Sequence, residues 1–81
     1  PNPVVHRFSV SFALRGDAPA RPELFDLAGR RILSREVGSL GAGPQVLEMN
    51  RPRATPPGLY LLRLSEAGRS LTRRLVMGGV R

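Results

Sequence analysis

The chain has 81 residues, 41% of them hydrophobic, with no cysteine and a single histidine. That length admits one domain; neither a disulfide nor a metal cluster can brace it, so most apolar residues must share one core. The formal net charge is +7 and all thirteen basic residues are arginine. They scatter from Arg7 to Arg81 without a block, and with few aromatics and no tryptophan to stack bases they read as coding bias, so no nucleic-acid partner is favoured.

Pro1 to Val5 read as the end of a linker, because Pro-Asn-Pro favours an extended or turning chain. The linker is taken to run to His6, with one β-domain over 7–77 and a tail at 78–81. The chain opens on Pro1 without a charged and then apolar leader, and it is expected to be one module of a longer protein. No apolar run approaches 18 residues, so no membrane insertion is expected.

Residues 7–14 alternate: Phe8, Val10, Phe12 and Leu14 share one face, the pattern of a strand with one buried side. Arg15-Gly16-Asp17 spells an integrin-type triplet, but Gly, Asp and the following Pro19 make it a turn. A second strand is expected over 20–28, with Pro22 at an edge or at the strand start because it cannot donate to a ladder. Asp26, Gly29 and Arg30 are assigned to a structural turn: Asp accepts backbone N–H bonds and Gly takes a positive φ. A third strand follows over 30–37. Ile32, Leu33 and Glu36 would also suit a helix, but the short joint at Gly29 argues for a hairpin.

Residues 38–44, with three glycines, read as a loop. A fourth strand spans 45–49 with Leu47 and Met49 on one face, and a proline-rich loop spans 50–58. Leu59 to Leu64 is nearly all apolar, so it is expected to be a central strand. Tyr60, Leu62 and Leu64 should face the core, with Leu59 and Leu61 partly covered by loops. A turn at Gly68 leads to a last strand over 71–77, the expected neighbour of 59–64. Six or seven short strands at this spacing predict an all-β fold, a small antiparallel sandwich or barrel.

Catalysis is poorly supplied. His6 is the only candidate base and stands beside the linker, and six acidic residues are spread singly through the chain. They read as ion-pair partners rather than an acid–base pair. No enzyme activity, cofactor or metal is expected.

The succession Glu23 to Ile32, Gly41 to Met49, Pro56 to Leu64 and Arg69 to Met77 resembles the C-terminal sorting domain of type IX secretion substrates. It is also similar to the related Ig-like module of the flagellar hook-capping protein. The pattern Pro-x-Gly-x-Tyr at 56–60 and the Asp-x-x-Gly-Arg hairpin at 26–30 carry most of the likeness. The resemblance implies a seven-stranded Ig-like β-sandwich on a larger protein exported through the periplasm to the cell surface or beyond. Its implied partners are the secretion machinery or neighbouring domains and subunits. Gly58, Tyr60, Arg73 and Arg74 are the candidate partner-binding residues. Two arginines stand where the family often has lysine, and the frequent Trp-Asp pair near Met49 and Asn50 is absent. The alternative is a structural or adhesive Ig-like module packing into a surface assembly or filament.

Overall fold

A computed structural model of the chain describes residues 6–79, so the linker assigned to 1–6, apart from His6, and the last two tail residues lie outside it. Seven strands follow in order: β1 (Arg7–Leu14), β2 (Pro19–Asp26), β3 (Arg31–Ser34), β4 (Gly38–Ser39), β5 (Gly43–Asn50), β6 (Gly58–Glu66) and β7 (Arg69–Met77). β1 and β5 form a small antiparallel sheet. The larger sheet has the order β3-β2-β6-β7, with β4 also paired to β2.

The two sheets bury facing sides, as alternation requires of a sandwich. In the small sheet Phe8 lies opposite Met49 and Val10 opposite Leu47. Phe8, Val10, Phe12, Leu14 and Met49 are buried, together with Ala20, Leu24, Tyr60, Leu62, Leu64 and Met77 of the large sheet. Each side-chain row of the large sheet is fixed by register: Leu24 faces Leu62 across β2 and β6, and Leu62 faces Arg73 across β6 and β7. β6 is an interior strand, between β2 and β7, with its Tyr60 face toward the core.

Pro22 departs from the expectation. It sits inside β2, which is flanked on both sides, and its side chain is fully buried. The chain resolves this through its neighbour. The Pro22 carbonyl accepts the Arg35 N–H at 3.0 Å. In a strand the N–H and C=O of one residue point to the same side, so the missing donor also faces the 35–37 segment. There the neighbouring strand breaks: the strand expected over 30–37 is confined to β3, and β4 forms within the stretch 38–44 that reads as a loop, with Gly38 and Ser39 paired to Ala20 and Pro19. A register shift between Leu24 and Phe25 bends the same margin.

The β6–β7 turn is tighter than its sequence suggests. Only Ala67 and Gly68 separate the strands, with φ of 49° and 78°. Two positive φ values mark the turn whose twist matches a β-hairpin, which lets pairing run from Gly58–Met77 to Glu66–Arg69.

Candidate functional site

The last two strands hold all four candidate partner-binding residues, and the geometry separates them into two kinds. Gly58 opens β6 with φ +147°, a conformation side chains disfavour, opposite Met77. Tyr60 is buried at 6% exposure and its hydroxyl donates to the Pro56 carbonyl at 2.8 Å. These two shape the entry to the strand from within. Arg73 and Arg74 are exposed on opposite faces of β7: Arg73 lies opposite buried Leu62 and Arg74 opposite half-buried Leu61. Arg73 donates only to the neighbouring Thr72 carbonyl, and among the described residues neither arginine pairs with a carboxylate.

The outer face of the large sheet is not bare. Leu61 lies between Phe25 on β2 and Arg74 on β7, and Glu23 lies opposite Arg63. The Arg63 guanidinium stacks over the Phe25 ring, 4.7 Å from its centroid, a favourable cation–π arrangement. Its Nη2 donates to Glu23 Oε1 at 3.0 Å while Arg31 Nη1 donates to Oε2 at 3.1 Å. Glu23 is buried, and hydrogen bonds from Arg63 first and Arg31 second hold its carboxyl below the usual carboxylate range, against the opposing effect of desolvation. Phe25, Leu27, Leu61, Arg63 and Thr72 line a shallow depression of about 330 Å3 on this face. Leu59 and Leu61 are half-buried here; Leu61 shares the depression with Phe25, Leu27 and Gly29, and Leu59 lies opposite Val76.

Three other contacts hold the frame. In the β2–β3 turn Gly29 has φ +85°, and Asp26 receives the Arg30 N–H on Oδ1 at 2.8 Å and Arg30 Nε on Oδ2 at 3.1 Å. Buried Glu66 accepts the N–H groups of Arg15 and Gly16 at 3.4 and 3.3 Å and pairs with Arg69, so the Arg-Gly-Asp triplet is tied to the end of β6. At the opposite end Arg51 joins three segments. Its N–H donates to the His6 carbonyl at 2.8 Å, Nη1 to the Gly78 carbonyl at 2.8 Å and Nη2 to the Thr55 carbonyl at 2.7 Å. An open pocket of about 700 Å3 lies beside it, lined by His6, Arg53 and the prolines of the 51–57 loop.

Arg51, Glu23 and Glu66 escaped the sequence reading. Each acts across at least one contact far apart in the chain, and no local spacing announces that; only an acid or arginine at a position due to be buried hints at it. Among the described residues no group of three His, Cys, Asp or Glu side chains is placed to hold a metal ion.

In comparison with known proteins, residues 1–78 match the family described as secretion system C-terminal sorting domain. No curated protein and no solved structure matches. The chain belongs to the family of secretion-system C-terminal sorting domains, the type IX family its motifs resemble, whose members are carried on exported or cell-surface proteins.

Proposed function

From that membership we propose that this domain is a non-catalytic export address, carried by a larger protein through the periplasm and read by the type IX machine through β6 and β7. Gly58 and Tyr60 keep the start of β6 and its loop in shape, and Arg73 and Arg74 present the charge that is recognised. The reading rests on one observation: two adjacent arginines, without carboxylate partners among the described residues, are exposed on opposite faces of an edge strand of the sheet. Exposed cations of this kind steer an acidic partner and set its orientation more than they add affinity.

The test fuses residues 1–81 to a periplasmic reporter in a host with type IX secretion, with a secretion-deficient strain as control. Reporter should reach the surface or the medium only when the machine is present, and R73E/R74E should reduce that export while the domain stays folded. A folded fusion that remains in the periplasm of the competent host overturns the proposal.

A further inference from the structure

β7 ends the strand order of the large sheet and, among the described residues, pairs only with β6. That pairing runs through nine residues without a register shift, and β7 contains no proline. The far margin of β7 is therefore a long, unbroken row of backbone groups of the sort that takes an added strand.

Side-chain burial points to the same place. Tyr60, Leu62 and Leu64 on β6 are all buried, yet the residues directly opposite them on β7 are not: Leu75 and Leu71 are half-buried and Arg73 is exposed. Cover returns only at Met77, which is 1% exposed. Leu71 and Leu75 thus pack against the core with part of their surface still exposed, on either side of exposed Arg73. On the other face Arg74 and Val76 are exposed.

We propose that the free margin of β7 takes an added antiparallel strand from a partner protein, acidic at its centre and apolar on either side. This names the partner chemistry of the recognition region argued above and rests on that reading. Every strand pair among the described residues is antiparallel, and the added strand is taken in the same sense. From the position opposite Val76 to that opposite Leu71, the incoming strand reads apolar, apolar, acidic, acidic, polar, apolar. The two acidic residues meet Arg74 and Arg73 on opposite faces, and the apolar ones extend Leu75 and Leu71 inward and Val76 outward.

Charge complementarity selects this occupant over a second copy of the chain. Two β7 strands paired antiparallel about their middle set guanidinium against guanidinium, and like charges directly opposite are destabilising. The net charge of +7 opposes self-association further.

The test uses the 81-residue domain and a labelled synthetic peptide, Ser-Val-Leu-Glu-Glu-Thr-Val-Ser. Anisotropy measures binding, and amide hydrogen exchange locates it. The peptide should bind and slow exchange at alternate amides of β7. Replacing both Glu by Gln should weaken binding roughly tenfold, the order expected of two cross-strand charge pairs. N-methylation at alternate positions should abolish it. R73E/R74E should lose the peptide and gain a counterpart carrying Arg-Arg, with circular dichroism confirming that the variant is folded.

Four results overturn the proposal: no binding up to about 1 mM peptide; equal binding of the N-methylated peptide, which marks simple polyanion contact; protection on strands other than β7; or dimerisation of the domain through β7. Because these measurements involve no secretion machine, the two readings fail separately. Export that depends on Arg73 and Arg74 without peptide binding removes only the added strand. Peptide binding with export unchanged in R73E/R74E removes only the role of the arginine pair in sorting.

Discussion

The two margins of the large sheet are guarded in different ways. One is broken: β3 has four residues, β4 has two, and Pro22 removes the donor where they would join. The other is β7, nine residues long and continuous. A broken edge cannot template another strand whatever the partner. A continuous edge lined with arginines repels most partners but admits one of opposite charge. The first margin is closed by conformation, the second only conditionally, by electrostatics.

Four substitutions would break or sharpen that contrast. The largest effect is expected at the centre both margins share. Leu62→Ala removes a buried side chain between Leu24 and Arg73 and should cost about 3 kcal/mol, read from the midpoint of chemical denaturation. Arg51→Met comes next. It deletes donors to the Gly78 and Thr55 carbonyls and should cost about 2 kcal/mol, with hydrogen exchange rising at the end of β7 before it rises at β3. Equal acceleration at both margins would contradict a clamp specific to the β7 end.

Glu23→Gln acts on the outer face, where β3 and β6 are tied through β2, and should cost about 1 kcal/mol because its arginine partners stand in solvent. Its signature is pH dependence. The Glu23 carboxyl titrates below its ordinary value of 4.5 in the folded protein, so the stabilisation it gives is fully present above that value. It is lost as pH falls below 4.5 through the folded-state value. The acid slope of the melting temperature should flatten in the Gln variant. The smallest effect is at the hairpin. Ala67 holds φ 49°, so Ala67→Gly should stabilise the β6–β7 pair by less than about 1 kcal/mol, visible as a small rise in melting temperature.

Alternation made β1 readable from sequence, because every second side chain had to be buried, and the nearly all-apolar run at 59–64 did the same for β6. The β6–β7 hairpin was readable through Gly68. The divided edge was not, because its cause lies in a neighbouring strand: Pro22 alone says that a donor is missing, not which strand would have received it. The cover of Leu61 was hidden for a related reason. Phe25 and Arg63 are 38 residues apart, and only the pairing of β2 with β6 brings ring and guanidinium together. Arg73 and Arg74 were legible as a pair on alternate faces, but the uncovered stretch of sheet around Arg73 was not. It depends on packing between layers, which leaves Leu71 and Leu75 only half-buried.

Arg51 grips the chain where it enters at His6 and where it leaves at Gly78, so both ends of the fold meet at one corner. Anything attached ahead of β1 and anything holding the end of β7 would pull on that same corner. Under tension β1 would peel from β5 starting at Arg7–Asn50, and β7 from β6 starting at Gly58–Met77. Rungs opened one at a time resist far less than rungs sheared together. The domain would therefore behave as a zipper under load, with the Arg51 side chain as the stop that must give way first.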